Sequence, residues 1–185
     1  MKAQANTEIS SSIFLDQVPA ARKAIYVVVK NSSNKFIGIM RQLRKTLLAR
    51  GYRVIKNPNQ ADYILQTNIL KVAKMDDALS LEALVAGYGS SVVEFYNPLV
   101  NSLHKDLNYR VIADVQIDEW LGKGLKIKPR LATKNNTNIN FFQTGRAQRQ
   151  YQSYQARIVT SIDEVSSSCA QVLFRVERVL VETMK

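Results

Sequence analysis

The sequence predicts an α/β (α+β) protein: a single mixed β-sheet with two main amphipathic helices on one face and a short helical pair inserted. Three observations predict this fold class. Residues 108–119, NYRVIADVQIDE, alternate apolar and polar side chains as a half-buried strand does. Residues 24–30, AIYVVVK, form a continuous β-branched run. Residues 36–50 and about 162–184 carry apolar side chains at helical spacing, so strands and helices pack as layers around one core.

The first half of the chain predicts a β-β-α-β-β order, whose first and fourth elements are the short runs Ile13–Val18 and Tyr52–Ile55. Ala24–Lys30 is typical of a strand buried on both faces. Phe36–Arg50 predicts an amphipathic helix, and Gly51 is placed to end it as the C′ residue. Tyr63–Val72 then alternates as a strand. One face of this strand carries Ile64, Leu70 and Val72, and the opposite face carries Tyr63, Leu65 and Ile69.

The second half predicts two further strands and a final helix. In 108–119 one face carries Tyr109, Val111, Ala113, Val115 and Ile117, and the opposite face carries Arg110, Asp114, Gln116 and Asp118, interrupted by Ile112. Tyr151–Thr160 predicts the next strand, with Tyr154, Ala156, Ile158 and Thr160 on one face. Ser161 and Glu164 match a capping box, which predicts a helix over about Ile162–Met184.

We expect one folded domain over residues 13–185, preceded by a poorly ordered polar segment, residues 1–12. Residues 77–107 differ in character and predict an inserted helical segment. Helical periodicity over Ala78–Ala86 is broken by Gly87-Tyr88-Gly89, and a second piece begins at Val92, with a kink expected at Pro98. The glycine pair predicts a turn rather than a phosphate loop, because the Lys-Ser/Thr ending of a P-loop is missing.

Catalytic and metal chemistry find no support in the sequence, so we predict no enzyme, no cofactor and no metal site. His104 is the sole histidine and Cys169 the sole cysteine, which excludes an intrachain disulfide and a cysteine-rich zinc site. Asp76 and Asp77 are interpreted as partners of a helix N-terminus rather than as an acid pair. No run approaches the length of a transmembrane helix.

The formal net charge of +11 predicts attraction to anionic partners. The interval between Trp120 and Ile162 contains no acidic residue. Its candidate anionic-partner patch is Lys123, Lys126, Lys128, Arg130, Lys134, Arg146 and Arg149, with Arg157 nearby and with Phe141, Phe142, Tyr151 and Tyr154 interleaved. Three interpretations stay open: a solvated loop with aromatics in the core, a membrane-headgroup contact, and single-stranded nucleic-acid binding.

Several segments, in this order, resemble the TraT family of outer-membrane lipoproteins. They are VKNSS at 29–33, ARGYRV at 49–54, QTNILKVAKMD at 66–76, the strand from Asn108 to Ile117, and YQ-YQARIV at 151–159. The resemblance implies a lipid-anchored outer-membrane protein of the bacterial cell envelope that assembles as a ring-like homo-oligomer. It also implies roles in surface exclusion of redundant conjugation and in complement (serum) resistance.

Two departures from the family shape our expectations. The chain begins without a signal peptide or a lipid-bearing cysteine, so we expect a truncated mature form or else a soluble relative of the family. The interval 77–107 is shorter and more charged than the hydrophobic hairpin of the family, so we expect shallow contact with a membrane surface rather than a spanning segment. The candidate contact residues are Leu81, Leu84, Val85, Val92, Val93 and Phe95.

We therefore predict a TraT-like envelope protein that acts by surface occupancy and partner contact, with conjugation or complement components as partners and the outer-membrane surface or anionic lipid beneath it. Two alternatives from other classes are a basic nucleic-acid-binding module linked to DNA transfer and a structural subunit of an envelope secretion assembly. Steeply salt-dependent oligonucleotide binding would favour the first alternative.

Overall fold

The computed structural model describes residues 6–11, 13, 15, 23–32, 39–75, 77–92, 108–121, 138–144 and 147–162. Seven strands and two α-helices lie within these ranges. They are β1 (Asn6–Ile9), β2 (Ala24–Asn31), α1 (Ile39–Ala49), β3 (Arg53–Ile55), β4 (Tyr63–Met75), α2 (Asp77–Ala86), β5 (Asn108–Trp120), β6 (Asn138–Thr144) and β7 (Ala147–Ile162). A 3-10 turn, Pro58–Gln60, precedes β4.

The strands form one mixed sheet in the order β1-β7-β5-β4-β2-β3, and β6 also pairs with β7. Strand β2 is parallel to β3 and β4, whereas β4, β5 and β7 are antiparallel neighbours. Strands β6 and β1 share one edge of β7, β6 beside its beginning and β1 beside its end. The predicted α+β class with a mixed sheet is therefore confirmed.

Two local predictions differ from the structure. Asn6–Ile9, expected to be poorly ordered, pairs with β7, and the Thr7 and Thr160 hydroxyls lie 3.2 Å apart. Ser161, expected to cap a helix, belongs to β7, where it pairs with both β1 and β5. Backbone pairing on both sides thus replaces the capping interaction. The predicted final helix falls otherwise in residues 163–185, outside the described residues.

Helix α1 ends as the sequence predicts. Gly51 adopts a φ of 82°. Its N–H donates to the Leu48 carbonyl at 3.0 Å, and the Tyr52 N–H donates to the Leu47 carbonyl at 2.9 Å. These two bonds form a Schellman motif, which satisfies carbonyls that the helix end would leave unpaired. The motif also directs Tyr52 into the core cluster that contains Leu47.

One face of the sheet, covered by α1, carries the main apolar core. Strand β5 contributes Val111, Ala113, Val115 and Ile117 to this core, as its alternation predicts. Val115 is 0% exposed, and Leu43 of α1, 2% exposed, belongs to the same cluster. The faces of β7 are also as predicted, since Tyr154, Ala156 and Ile158 join this core.

A β-bulge in β4 overturns one predicted face. The register with β5 shifts between Ile69 and Lys71, so Leu70 is an extra residue. The inserted residue reverses the alternation beyond it. Val72, grouped with Ile64 and Leu70 from the sequence, consequently joins the α1-covered core, while Leu70 packs on the opposite face.

The opposite face of the sheet has three zones. At one end Ala61, Ile64 and Tyr151 form an apolar cluster with Trp120 beside it. At the other end Met75, Ile112 and Val159 lie under Leu79, Ala83 and Leu84 of α2. Polar side chains of β4, β5 and β7 lie between these clusters. The two described helices therefore cover opposite faces of the sheet. The sequence predicts two main helices on one face, and the second of them falls in residues 163–185, outside the described residues.

Candidate functional site

A buried ion pair lies at the centre of the polar zone. The antiparallel register of β5 and β7 places Asp114 directly opposite Arg157. Arg157 Nε donates to Asp114 Oδ1 at 2.8 Å, and Arg157 Nη2 donates to Asp114 Oδ2 at 3.1 Å. Arg157 is 0% exposed. A bidentate pair with this geometry compensates a charge that would otherwise be costly to bury.

The same arginine attaches the α2 segment to the sheet. Arg157 Nη2 donates to the Ser90 carbonyl at 2.7 Å, and Nη1 donates to the Ala83 carbonyl at 3.2 Å. From the other side, the Gly89 N–H donates to Asp114 Oδ2 at 2.9 Å. Gly89 adopts a φ of 78°, a left-handed conformation that costs glycine little. The predicted glycine turn is therefore present, and the ion pair holds it in place.

Beside the ion pair, three cross-strand glutamines form a row on β4, β5 and β7. Gln66 is opposite Gln116, which is opposite Gln155. Gln155 Nε2 donates to Gln116 Oε1 at 2.8 Å. Gln116 Nε2 and Gln66 Nε2 donate to Asp118 at 2.8 and 3.3 Å, and Ser153 Oγ donates to Asp118 as well. Asp118, 0% exposed, is thus stabilised by neutral hydrogen-bond donors.

An open groove of about 470 Å³ lies between β4 and the segment after α2. It is lined by Asn68, Leu70, Tyr88, Gly89, Ser90, Ser91, Val92 and Asp114. The Tyr88 hydroxyl donates to Gln116 Oε1 at 3.1 Å. Burial raises the pKa of Tyr88, and the nearby carboxylates of Asp114 and Asp118 raise it further. The hydroxyl therefore stays a neutral donor over the physiological range.

The N-terminus of α2 is held by a second ion pair. Arg110 Nη2 donates to Asp77 Oδ1, and Nη1 donates to Ser161 Oγ. Asp77 is the first residue of α2, where a carboxylate also favours the helix dipole. The Asp77 side chain is 92% exposed, so solvent screening keeps the net contribution of this pair to stability small.

The structure divides the candidate membrane-contact residues into two groups. Leu81 and Val85 point outward from α2, 56% and 78% exposed. Leu84 and Val92 instead pack against the cluster of Met75, Ile112 and Val159. Val93 and Phe95 lie outside the described residues.

The candidate anionic-partner patch falls almost entirely beyond the described part of the chain. Lys123, Lys126, Lys128, Arg130, Lys134 and Arg146 lie there, and Arg149 belongs to β7, opposite Phe142 of β6. Three neighbouring residues are described by the structure: Arg157 corrects its grouping with surface cations, and two tyrosines agree with the interpretation that places the aromatics in the core. Arg157 is buried in the ion pair and adds no surface charge, Tyr151 is 2% exposed, and Tyr154 packs against the main core. These two tyrosines are thus not free platforms for base stacking.

The sequence reasoning missed the Asp114–Arg157 pair. The sequence assigns Asp114 to the polar face of its strand and groups Arg157 with the basic patch, whereas the pairing depends on the β5–β7 register. The available signal was a pair of opposite charges on two predicted strands, Asp114 between Ala113 and Val115 and Arg157 between Ala156 and Ile158. Within the described ranges, no three or more His, Cys, Asp or Glu side chains are arranged to hold a metal ion. Neither described helix is long and apolar enough to cross a membrane.

A family model described as "Enterobacterial TraT complement resistance protein" matches residues 2–97, just over half of the chain. The chain belongs to the TraT family. It is similar to a TraT complement resistance protein of Escherichia coli, with 26% identity over 190 residues, covering 88% of this chain and 77% of the relative. A TraT complement resistance protein of Wigglesworthia glossinidia brevipalpis is 26% identical over 134 residues, covering 63% of this chain and 55% of that protein.

Among solved structures, the chain is similar to one titled "PelC L103M dodecamer from Paraburkholderia phytofirmans". The TM-score is 0.42 and the sequence identity 10%, with 98% of both chains covered. The family assignment therefore rests on the family model and the sequence relatives. It agrees with the segments that resemble the TraT family, which lie in the strands and at the end of α1.

Proposed function

We propose that this TraT-family chain is a non-catalytic envelope protein that acts at the outer-membrane surface, in surface exclusion of redundant conjugation, in complement resistance, or in both. Membership of the TraT family is the observation that carries the proposal. The mode of action is occupancy of the surface and contact with a partner, a component of conjugation or of complement.

The chemistry of the described sheet supports a structural rather than a catalytic role. The carboxylate of Asp114 is held by Arg157 and by the Gly89 N–H. Asp118 accepts hydrogen bonds from two glutamines and a serine. A catalytic carboxylate needs access to a reacting atom, whereas these two anchor strands and the glycine turn.

The outward face of α2 is our candidate contact with the outer-membrane surface or anionic lipid. Leu81 and Val85 are exposed on it, while Leu84 and Val92 support the segment from below. The net charge of +11 would strengthen such a contact, and the patch from Lys123 to Arg149 is its proposed electrostatic part. Burial of Tyr151 and Arg157 removes one aromatic side chain for stacking and one cation for phosphate contact from the alternative of single-stranded nucleic-acid binding.

A ring-like homo-oligomer is the assembly that the family resemblance implies, and closed symmetry is the usual outcome for soluble homo-oligomers. Light scattering of the purified chain over a wide concentration range should give a mass that is a constant multiple of 20.9 kDa. A constant monomer mass would remove the proposed assembly for this chain.

The cellular test compares recipient cells that express the gene with cells that lack it. We expect expression to lower the frequency of plasmid transfer from a donor carrying the cognate plasmid, to raise survival in serum, or to do both. A donor with an unrelated transfer system controls for a general loss of mating. Heat-inactivated serum controls for complement. Unchanged transfer and unchanged serum survival, with the protein present in the outer-membrane fraction, would refute the proposal.

A further inference from the structure

The groove between β4 and the segment after α2 has unused hydrogen-bonding groups. Asn68 Oδ1 lies 3.5 Å from the Ser32 hydroxyl, which is the limit of a hydrogen bond. Within the described part of the chain, neither Asn68 Nδ2 nor the Ser91 hydroxyl has a hydrogen-bond partner. Both residues line the groove. They offer two amide donors, a carbonyl acceptor and a hydroxyl to a molecule lying in it.

The charges beneath the groove are already neutralised. Asp114 Oδ1 accepts from Arg157 Nε, while Oδ2 accepts from Arg157 Nη2 and from the Gly89 N–H. A cation would have to displace these donors. An anion gains nothing from Arg157 either, because both of its terminal nitrogens donate to Ser90, Ala83 or Asp114. The groove is therefore suited to an uncharged, polar ligand.

Apolar groups complete the lining. Leu70, Val92 and Tyr88 line the groove together with the polar residues. The bond from the Tyr88 hydroxyl to Gln116 fixes the orientation of that ring. A groove of about 470 Å³ lies within the ordinary range for small-molecule sites, roughly 300–1,000 Å³. A planar amide, a hydroxyl and an oriented aromatic ring together match the hydroxyls and the C–H face of a sugar ring.

We propose that this groove binds an uncharged sugar residue. The Asn68 amide and the Ser91 hydroxyl bind sugar hydroxyls, and the Tyr88 ring packs against the C–H face. Leu70 and Val92 hold the methyl of an N-acetyl group, so an N-acetylated sugar binds more tightly than a plain hexose. The inference goes beyond the proposed function and does not rest on it, since it concerns direct binding to the purified protein.

The test is a calorimetric titration of the purified full chain with N,N′-diacetylchitobiose in one arm and maltose in the other. We expect saturable binding of the first probe with a Kd on the order of 1 mM, a value typical of a small, open site. Added salt should leave this affinity unchanged, because the contacts are uncharged. Stronger binding of maltose would support a sugar site in the groove and would contradict the preference for an N-acetylated sugar.

Variants separate the groove from adventitious binding. Asn68→Ala should weaken binding about tenfold, the effect of losing one or two hydrogen bonds. Tyr88→Phe, which keeps the ring, should weaken binding less than Tyr88→Leu. Asn59→Ala is the matched control, because Asn59 is an exposed asparagine in the 3-10 turn. Thermal unfolding of each variant confirms that it is folded.

Three results would overturn the inference. One is the absence of heat with either sugar at concentrations of about 50 mM, well above the expected Kd. Another is sugar binding that Asn68→Ala leaves unchanged. The third is selective binding of an uncharged alanine tetrapeptide in place of both sugars, which would show that the groove takes an extended peptide. Asn68→Ala stays decisive even where Tyr88→Leu unfolds, since Asn68 is only half-buried on the sheet.

Discussion

At the residue scale, the arrangement of charge is decided by Arg157. An arginine on a strand of a strongly basic chain is ordinarily a surface cation, and the sequence groups it with such cations. Its side chain is instead 0% exposed and holds Asp114, Ser90 and Ala83 together. One residue thus links β5, β7, α2 and the glycine turn, which explains why the polar face of β5 is buried rather than solvated.

Arg157→Met should lower the free energy of unfolding by about 3–5 kcal/mol, because it leaves the Asp114 carboxylate buried without its cation. The measurement is equilibrium unfolding in urea. Adding Asp114→Leu to this variant should recover part of the loss, since the unpaired charge is then removed. Arg53→Met, at an exposed position of β3, is the control and should change stability by less than about 0.5 kcal/mol. Equal, small effects of Arg157→Met and Arg53→Met would contradict the structural role of the pair.

Tyr52 makes stability depend on pH in the alkaline range. Burial raises the pKa of Tyr52 to about 12 from its usual value of 10.0, while the charge of Arg50 lowers this pKa and the charge of Glu119 raises it. Between these two values the unfolded chain loses the phenolic proton while the folded chain keeps it, so stability falls as pH rises. Tyr52→Phe should remove up to about 3 kcal/mol of this loss in the free energy of unfolding. Urea unfolding at a series of pH values measures it, and parallel declines in both proteins would contradict the assignment.

At the element scale, the faces of the strands could be predicted where the two-residue period is unbroken. Val111 to Ile117 of β5 and Tyr154 to Ile158 of β7 lie on the predicted face, because alternation is a local property. Val72 does not, because the extra residue Leu70 changes the period and no local feature marks it. The Asp114–Arg157 contact could not be predicted either, since it depends on the register between strands more than 40 positions apart.

The end of α1 was predictable because its signal lies in one residue. Gly51 has a φ of 82°, and open space surrounds the position where a Cβ would be. Gly51→Ala should therefore cost about 1 kcal/mol through backbone strain alone. Gly51→Asn should cost less, because asparagine tolerates the left-handed region. Thermal unfolding of the two variants checks this, and an alanine variant as stable as the parent would show that the Schellman turn contributes little.

At the scale of the whole molecule, charge and exposed apolar surface point to the same kind of partner. The chain carries a net charge of +11, and α2 presents Leu81 and Val85 outward from a segment that Arg157 holds on the sheet. A segment anchored in this way can present its apolar face without rearrangement. Shallow contact of such a face with an anionic surface combines apolar burial with electrostatic attraction, and the second term decreases as salt is added.

Binding to anionic lipid vesicles should accordingly weaken as salt rises, and weaken again when Leu81 and Val85 are both changed to Ser. The double variant should keep the melting temperature of the parent, because both side chains point away from the core. Leu48→Ser is the matched control: Leu48 is 58% exposed, but it lies on α1, over the other face of the sheet. Vesicle sedimentation measures all three proteins. If Leu48→Ser weakens binding as much as the double change on α2, the contact is not confined to α2. If neither salt nor the α2 variant matters, this face does not meet the lipid, and Leu81 and Val85 contact protein instead.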